Sequence, residues 1–526
     1  MQKLQLLGIS IFSGILLWAS WPTSPLTFLI FIAFVPLLFV ADAIEKRTYF
    51  FVHSFVALLI WNTLTTWWIW NSTDVGSIAA IIANSLLMCM PWWGYHVFKS
   101  KFGKRVGYCS LIACWMLFEY IHLNWQLSWP WLSLGNVFAS KTNWIQWYEF
   151  TGIGGGTLWV LVANILVHDG IKKIRTASVA FKVKRLLLIA SLFIFPFFLS
   201  LVLYLQMAQK PVKKNNVVIV QPNIDPYQKF ESNSTAQQIQ TLIFLSEQKI
   251  DSSTKLVLWP ETALASNVAI DEVEKAIIYQ PVFDFVNSHP NITLLTGIET
   301  YKMLGTQKTT ASARKTADGQ YYDSYNAAVS IKAHEPLQFY IKSKLVPGVE
   351  SLPTFLNFLG PVFEQFGGTT GGYGKDDEAK IFINTNNPFI PAPVICYESI
   401  YGEYVASYVA KGANLIAIIT NDGWWGNTPG HKQHLAYAKL RAIETRRWVA
   451  RSANTGISAV IDNYGDVKMS TAWNKADAIK FDIPIKTGQT FYVKHGDYLY
   501  KIFSVFALLI IGWNLVLWVK KKTQRK

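Results

Sequence analysis

The chain has 526 residues, of which 51% are hydrophobic and only 15% are charged, and its mean hydropathy is +0.23. This composition excludes an ordinary soluble protein and predicts a membrane protein. The formal net charge is +15, but the basic residues lie largely in short runs between apolar segments, which argues against a nucleic-acid-binding surface.

Apolar windows long enough to cross the ~30 Å hydrocarbon core of a bilayer recur along the chain. We predict about eight transmembrane helices, near residues 4–21, 24–41, 49–70, 76–97, 107–124, 153–168, 186–206 and 499–519. Only Trp21, Pro22 and Thr23 separate the first two windows, which therefore form a tight hairpin or one broken element. An alternative for the first window is a cleaved signal peptide, although its cleavage site is poor.

Every second connection between the predicted spans is rich in Lys and Arg, and the C-terminal run that starts at Lys520 continues this pattern. Because cytoplasmic loops are enriched in Lys and Arg, we expect both termini in the cytoplasm and the long segment 207–498 outside it. Glu119 is unusual in a predicted span, and it either lines a lipid path or pairs near the membrane interface.

Residues 216–486 differ in character from the rest, since short β-rich runs alternate with polar, helix-compatible stretches. The runs are 217–221, 256–259, 292–296, 327–331, 393–396, 415–420 and 457–461, and the stretches include 235–250, 271–288 and 431–449. Such alternation predicts an α/β domain. We therefore divide the chain into a helical bundle at 1–210, a catalytic domain at 211–490 and a final span with a basic tail at 491–526.

Cys396 is the one cysteine outside the apolar stretches, which contain Cys89, Cys109 and Cys114. A lone cysteine in a domain facing an oxidising compartment has no intramolecular disulfide partner there, so a reactive thiol is the leading explanation. Taken alone, Cys396 is equally well explained as a buried core thiol.

Three short patterns place a carboxylate, an ammonium group and a thiol at the ends of apolar runs. Glu261 follows Trp259 and Pro260, Lys342 follows Tyr340, and Cys396 precedes Tyr397. A thiolate that attacks a carbonyl, a carboxylate that moves the proton and an ammonium group that stabilises the oxyanion make an acyl-transfer set.

With these motifs in this order, the sequence resembles the nitrilase superfamily and, among its members, the membrane-embedded apolipoprotein N-acyltransferases. The resemblance covers essentially the whole chain, including the Trp-Pro-Trp-Leu motif at 129–132 and the Asn-Asp-Gly-Trp-Trp-Gly motif at 421–426. It implies an αββα sandwich for the α/β domain. It also implies that Glu261 is the general base, Lys342 the oxyanion stabiliser and Cys396 the nucleophile.

The resemblance implies further residues around this triad. Glu350 matches a supporting glutamate, although Gly348 and Val349 replace the Phe-Gly of the usual Val-Pro-Phe-Gly-Glu pattern. Two more supporting positions follow the nucleophile, and three aromatic residues are candidates for substrate binding. These residues are Tyr397 and Glu398, whose positions match the family, and Phe230, Trp424 and Trp425. The backbone N–H of Tyr397 is a candidate oxyanion donor, and the candidate lids are 347–374 and the Trp424-Trp425 turn.

Simpler explanations exist for several of these residues. Lys342 and Lys344 also fit an exposed pair on one face of a strand, and Glu261 also fits a cap for a helix at 262–266. His431 and His434 lack a third ligand and are better explained as support for a helix start, so we predict no metal there. We also predict no cofactor. We expect a lowered pKa for the Cys396 thiol if Lys342 lies near it.

The resemblance implies transfer of an acyl chain from phosphatidylethanolamine, through a Cys396 thioester, to the N-terminal diacylglyceryl-cysteine of an apolipoprotein. It further implies a monomeric, multi-pass protein of the bacterial inner membrane with a periplasmic catalytic domain. One alternative is a membrane-bound amidase that hydrolyses a small amide with the same triad. The other is a transporter or receptor whose external domain only binds a ligand.

Overall fold

The computed structural model describes residues 3–174, 178–207, 214–227, 229, 234–352 and 372–524. The chain forms two compact units. The first comprises Met1–Trp67, Ser77–Leu205 and Asp497–Lys526, and the second comprises Trp68–Gly76 and Gln206–Gly496.

The first unit is helical. Its α helices are α1 (Lys3–Ser20), α2 (Val35–Ala43), α3 (Arg47–Thr66), α4 (Asp74–Phe102), α5 (Lys104–Asn124), α6 (Tyr148–Lys173), α7 (Val179–Met207) and the C-terminal helix Tyr498–Thr523. In the described part of the chain, seven helices are long and apolar enough to cross a membrane, and Thr27–Ala43 is a shorter apolar element. The strongly apolar composition of the chain is therefore concentrated in helices of membrane-spanning length.

The predicted span 24–41 is not one continuous helix. A 3₁₀ helix at Thr27–Phe31 is followed by the nine-residue helix α2. The side-chain amide of Asn164 on α6 accepts a hydrogen bond from the N–H of Phe34 (2.8 Å) and donates one to the carbonyl of Ile30 (2.8 Å). Asn164 thus binds backbone groups at the break, where an apolar surrounding would otherwise leave them without partners.

The glycine-rich start of the predicted span 153–168 does not prevent helix formation. Helix α6 runs from Tyr148 to Lys173, with a kink at Gly152, whose φ of 56° and ψ of −164° are not helical. Positive φ suits glycine because it has no Cβ. The kink therefore lies where the sequence has the residue that tolerates it.

Glu119 is buried inside the first unit, where neutral donors bind both of its oxygens. The indole N–H of Trp115 and the N–H of Leu134 donate to Oε1, each at 2.8 Å. The hydroxyls of Thr157 and Tyr500 donate to Oε2, each at 2.7 Å. Glu119 therefore joins α5, α6 and the C-terminal helix through hydrogen bonds, which is the pairing alternative expected for a polar residue at this position.

The second unit contains thirteen described β strands. They are β1 (Lys214–Gln221), β2 (Thr254–Leu258), β3 (Leu264–Ala269), β4 (Thr293–Gly305), β5 (Arg314–Lys315), β6 (Tyr321–Ile331), β7 (Gln338–Ile341), β8 (Pro391–Ile395), β9 (Leu415–Thr420), β10 (Trp448–Ala453), β11 (Ala459–Ile461), β12 (Val467–Ser470) and β13 (Asp477–Pro484). One sheet has the order β13-β1-β2-β4-β6-β5, with β3 beside β4 and β7 beside β6, and the other has the order β12-β11-β10-β9-β8.

The two sheets pack face to face, and helices cover their outer faces. Val217 and Ile219 of β1 lie in the core shared with the second sheet, whereas Val218 and Val220 point to the opposite face. That opposite face packs on α8 (Ser234–Glu247) and α9 (Gln280–Ser288), and the second sheet packs on α10 (Gly402–Ala410) and α11 (Pro429–Thr445). Alternating side chains that are all buried predict helices on both outer faces, and the unit is the expected αββα sandwich.

Three local predictions were wrong. No helix follows Glu261, because the chain turns and β3 begins at Leu264. The first half of the predicted helix 271–288 is 3₁₀ rather than α. The predicted helix 431–449 ends at Thr445, where Arg446 takes a left-handed conformation (φ 53°) and the chain continues into β10.

Candidate active site

Glu261, Lys342 and Cys396 all follow strands that end at the same edge of the sandwich. Glu261 comes shortly after β2, Lys342 directly after β7 and Cys396 directly after β8. All three side chains are buried. The residue that follows a strand lies at the edge of the sheet, and α/β folds commonly place their reacting groups at this edge.

The Lys342 ammonium group bridges two carboxylates. Its Nζ lies 3.1 Å from Oε1 of Glu261 and 2.7 Å from Oε1 of Glu350. Burial alone would lower the pKa of Lys342, but these two carboxylates hold that pKa well above its usual value. Lys342 therefore stays protonated and is able to stabilise negative charge on a substrate oxygen.

Asn326 on β6 contacts the same two carboxylates, and the sequence analysis did not identify it. Its Nδ2 donates to Oε1 of Glu261 at 2.8 Å and to Oε1 of Glu350 at 3.3 Å. The N–H of Lys342 in turn donates to the Asn326 carbonyl at 2.9 Å. The available signal was a polar residue inside an otherwise buried strand, which the sequence alone does not connect to Glu261.

Besides contacting Lys342, Glu350 stabilises a tight turn. Its Oε2 accepts the N–H of Val346 at 2.8 Å. Within this turn Gly348 has a φ of 82°, a conformation that glycine adopts without the Cβ strain of other residues. The departure of Gly348 and Val349 from the family pattern is thus compatible with a turn that brings Glu350 to Lys342.

Lys229 is a second buried lysine near Glu261 that the sequence analysis did not identify. Its Nζ donates to the Glu261 carbonyl at 2.8 Å and to Oγ1 of Thr262 at 2.7 Å. Burial lowers the pKa of Lys229 to about 8, although the carboxylates of Glu261 and Glu299 oppose this change. Thr262 has a φ of 47°, so Lys229 binds the strained turn that carries Glu261.

Cys396 has a left-handed backbone conformation with a φ of 49°, which costs a non-glycine residue about 1–2 kcal/mol. The strand β8 stops there, and a 3₁₀ turn at Cys396–Ile400 begins. Strain of this kind persists where the surroundings fix the backbone, and it is common at nucleophilic turns.

The expected lowering of the thiol pKa was wrong. Burial raises the pKa of Cys396 and the carboxylate of Glu261 raises it further, while Lys342 and the hydroxyl of Thr420 only partly offset these effects. The resting residue is therefore a neutral thiol. Nucleophilic attack then requires a base to remove its proton, and Glu261 is the carboxylate that acts on this thiol most strongly.

Glu398 links the two strand ends that carry Lys342 and Cys396. Oε1 accepts hydrogen bonds from the Tyr340 hydroxyl (2.5 Å) and the N–H of Ser343 (2.7 Å), and Oε2 accepts the N–H of Ile395 (2.9 Å). Burial raises the pKa of Glu398 to about 7, although these hydrogen bonds oppose the rise. These contacts hold the two strand ends together. They account for a supporting role in which Glu398 touches no reacting atom.

The remaining predicted residues are only partly described. Tyr397 is buried and packs its ring against Tyr401 at 5.4 Å between centroids. Trp424 and Trp425 are half-buried in a 3₁₀ turn at Asp422–Trp425. Phe230 and most of the candidate lid 347–374 lie outside the described residues.

The two histidines of α11 do not converge on a common point. His431 stacks on Trp473 at 4.0 Å between ring centroids, whereas His434 contacts Ser399 and Asp422. Among the residues that the structure describes, no group of three His, Cys, Asp or Glu side chains is arranged to hold a metal ion.

Family models match both parts of the chain. The apolipoprotein N-acyltransferase N-terminal domain matches residues 13–166, and the carbon-nitrogen hydrolase family matches residues 216–492. The second match spans more than half of the chain and includes Glu261, Lys342 and Cys396.

Curated relatives are similar over nearly the whole length. The apolipoprotein N-acyltransferase of Chlorobaculum tepidum is 31% identical over 504 residues, which cover 93% of this chain and 92% of that protein. The one from Rickettsia prowazekii is 29% identical over 420 residues, which cover 78% of this chain and 77% of that protein. Among solved structures, Saccharomyces cerevisiae Nit3, a member of branch 10 of the nitrilase superfamily, is 16% identical with a TM-score of 0.36, covering 53% of this chain and 93% of that one.

Proposed function

The chain belongs to the apolipoprotein N-acyltransferase family, and from this premise we propose that it transfers an acyl chain from a membrane phospholipid to an apolipoprotein. The acceptor is the α-amino group of an N-terminal diacylglyceryl-cysteine, and phosphatidylethanolamine is the donor. One observation carries the proposal: a buried lysine bridges two carboxylates beside a buried thiol at one edge of the sandwich.

In the first half of the reaction, Glu261 removes the thiol proton as the Cys396 sulfur attacks the ester carbonyl of the donor lipid. The negative charge that forms on the carbonyl oxygen is stabilised by the Lys342 ammonium group and by the N–H of Tyr397. Collapse of this intermediate breaks the ester C–O bond, and Glu261 returns the proton to the departing lysophospholipid oxygen. A thioester on Cys396 remains.

In the second half, the acceptor amine attacks the thioester carbonyl and Glu261 takes a proton from the amine. Lys342 again stabilises the oxyanion, and the C–S bond breaks as the proton passes to the sulfur. The products are the amide and the free thiol. Glu350 contacts Lys342, and the Asn326 amide contacts both Glu261 and Glu350, so the two residues together hold Lys342 and Glu261 at a fixed separation.

Aminolysis must outrun hydrolysis of the thioester, so water must be excluded from the acyl site. We assign this role to the Trp424-Trp425 turn, to Phe230 and to the segment 347–374. The tryptophan turn has the apolar surface that such a role requires, and its rings are half-buried.

The seven apolar helices and the bacterial relatives identify a bacterial membrane protein. We further propose that it is a monomer of the inner membrane, with a bundle at 1–210, a periplasmic catalytic domain at 211–490 and a final span with a cytoplasmic tail at 491–526. A membrane anchor keeps the catalytic residues beside two lipid-anchored substrates, which replaces a three-dimensional search by a local one. The amidase and the transporter or receptor alternatives are not favoured, because the matched relatives cover nearly the whole chain.

A transfer assay tests this function. The full-length protein is incubated with vesicles of phosphatidylethanolamine that carries a labelled acyl chain and with a diacylglyceryl-cysteine peptide. We expect the peptide to gain one labelled acyl chain with the wild type and none with Glu261→Gln, because the variant lacks the base. Release of free fatty acid without peptide acylation would support a hydrolase instead.

A further inference from the structure

Three buried polar residues lie directly behind the nucleophile and take no part in the proton transfers above. We call Asp422, His434 and Arg451 the Asp422 cluster. They come from the turn after β9, from α11 and from β10, and each side chain is fully buried. Burying three ionisable groups is costly unless each is paired, so their arrangement calls for an explanation.

Within the Asp422 cluster, each group contacts the other two, and Nη2 of Arg451 lies 3.1 Å from Nδ1 of His434. Oδ1 of Asp422 lies 2.9 Å from Nδ1 of His434, and Oδ2 lies 2.7 Å from Nη2 of Arg451. Thr420 also donates its hydroxyl to Oδ1 at 3.1 Å. Burial would raise the pKa of Asp422, but Arg451 and His434 outweigh that effect and keep its pKa below the usual range. The carboxylate is thus ionised and fixes the orientation of the His434 ring.

The opposite side of the His434 ring faces the nucleophile. Nε2 lies 3.2 Å from the backbone carbonyl oxygen of Cys396 and 2.9 Å from Oγ of Ser399. Ser399 itself donates to the Cys396 carbonyl at 2.7 Å. The carbonyl of Cys396, whose backbone is strained and left-handed, therefore contacts polar groups from two elements.

We propose that His434 is a positioning residue, held by Asp422 and Arg451, that fixes the Cys396 backbone in its left-handed conformation and so aims the thiol at the donor carbonyl. The proposal rests on the proposed function only in taking Cys396 as the nucleophile. His434 acts through the Cys396 backbone and does not touch a reacting atom. Its loss should slow thioester formation without weakening lipid binding.

Two substitutions separate the two sides of the ring. In His434→Gln, the side-chain amide nitrogen can occupy the place of Nε2 and contact the Cys396 carbonyl. In His434→Asn, the shorter amide can replace only the Nδ1 contact with Asp422. Because Asn also leaves a larger cavity than Gln, the two roles are separated by the rate of the folded protein: a role in filling the core lowers the stability of the variants, whereas a positioning role lowers the maximal rate of the folded variants.

The experiment measures thioester formation by the full-length protein with phosphatidylethanolamine vesicles, in single turnovers at varied lipid concentration. We expect His434→Asn to lower the maximal rate by roughly 10²-fold and His434→Gln by about 10-fold or less, with an unchanged half-saturating lipid concentration. His431→Gln is the matched control, since His431 is also buried on α11 but stacks on Trp473. We expect its rate to equal that of the wild type.

Unfolding of each variant is monitored by thermal denaturation, and Ser399→Ala is included because it removes the other donor to the Cys396 carbonyl. If the His434 variants do not fold, a lower maximal rate in Ser399→Ala at an unchanged half-saturating concentration supports the proposal, and a wild-type rate overturns it. Equal rates for folded His434→Asn, His434→Gln and wild type would also overturn it. Failure of the proposed function has a different signature, because the wild type itself would then form no thioester.

Discussion

At the scale of single residues, the site depends on opposite charges that share one buried space. Lys342 lies between Glu261 and Glu350, so the ammonium group stabilises two carboxylates that would otherwise repel each other. In the mechanism proposed above, the same lysine stabilises the oxyanion, and the two carboxylates keep it protonated. We therefore expect the catalytic role of Lys342 and the local stability to be coupled.

Lys342→Met tests this coupling, because it keeps much of the aliphatic stem and removes the charge. We expect acyl transfer to fall by about 10³-fold through loss of an oxyanion donor. The melting temperature should also fall, because two buried carboxylates lose their shared cation. Lys344→Met is the control: Lys344 lies 5.3 Å from the ring centroids of both Tyr401 and Tyr404. Comparable losses of transfer in both variants would contradict the role of Lys342.

The pH dependence of Cys396 alkylation provides a second test at this scale. Glu261 raises the pKa of the thiol and Lys342 lowers it. The midpoint of the pH–rate profile should therefore move to lower pH in Glu261→Gln and to higher pH in Lys342→Met, relative to the wild type. The measurement is iodoacetamide labelling of Cys396 followed by peptide mass spectrometry. Shifts in the same direction for both variants would show that the charges of Glu261 and Lys342 do not control the pKa of the Cys396 thiol.

At the scale of elements, the sequence predicts those site residues whose position depends on a local residue pattern. Glu261, Lys342 and Cys396 each follow an apolar run, and the ends of strands β2, β7 and β8 do bring them together. Asn326 and Lys229 could not be predicted, because each reaches Glu261 from a distant part of the chain without a local motif. The strand β3 was missed because the turn at Thr262 depends on contacts with β4 and Lys229.

The turn that carries Glu261 approaches β4 so closely that only glycine fits at position 297. A Cβ there would lie 2.4 Å from the backbone nitrogen of Thr262 and 2.6 Å from Cα of Glu261. We expect Gly297→Ala to displace the Glu261 turn and reduce transfer by roughly 10²-fold. Gly305→Ala on the same strand would meet no atom within 4 Å, although its φ of 74° adds strain. If only Gly305→Ala lost activity in the transfer assay, close packing at Gly297 would not be the cause.

The broken element Thr27–Ala43 decides the topology. Seven crossings would place the two termini on opposite sides of the membrane, whereas both termini share a side if Thr27–Ala43 also crosses. The basic pair Lys46 and Arg47 directly after this element favours a crossing. In a background with all four native cysteines replaced by serine, we expect an impermeant maleimide to label Ser24→Cys but not Lys46→Cys from the periplasmic side. Labelling of Lys46→Cys from that side would contradict eight crossings.

At the scale of the whole molecule, the hydrophobic composition and the α/β pattern indicated both units, and family relatives cover both. The resemblance also implied the layer order of the sandwich, and the alternating cores on the two faces of β1 confirm it. The sequence did not predict that Trp68–Gly76, which follows α3 and includes the first residues of α4, belongs to the second unit. There the side chain of Asn71 donates to the carbonyl of Trp425 at 2.9 Å, a contact between residues with no shared local pattern.

A membrane-anchored transferase should respond to the surface concentration of its donor lipid. With bulk phosphatidylethanolamine held constant, dilution by an inert lipid within the vesicles should lower the transfer rate in proportion to the donor mole fraction. Dilution of the whole vesicle suspension with buffer, at constant protein-to-lipid ratio, should leave the rate per enzyme unchanged. A rate that follows bulk concentration alone would favour a site for freely dissolved substrates.

The most direct measurement is the intact mass of the full-length protein after incubation with phosphatidylethanolamine, compared between wild type and Cys396→Ser. We predict that the wild type gains the mass of one acyl chain, that hydroxylamine removes it, and that Cys396→Ser gains no such hydroxylamine-labile mass. An adduct of equal amount and lability on both proteins, or none on a folded wild type that still transfers acyl chains, would contradict a thioester on Cys396.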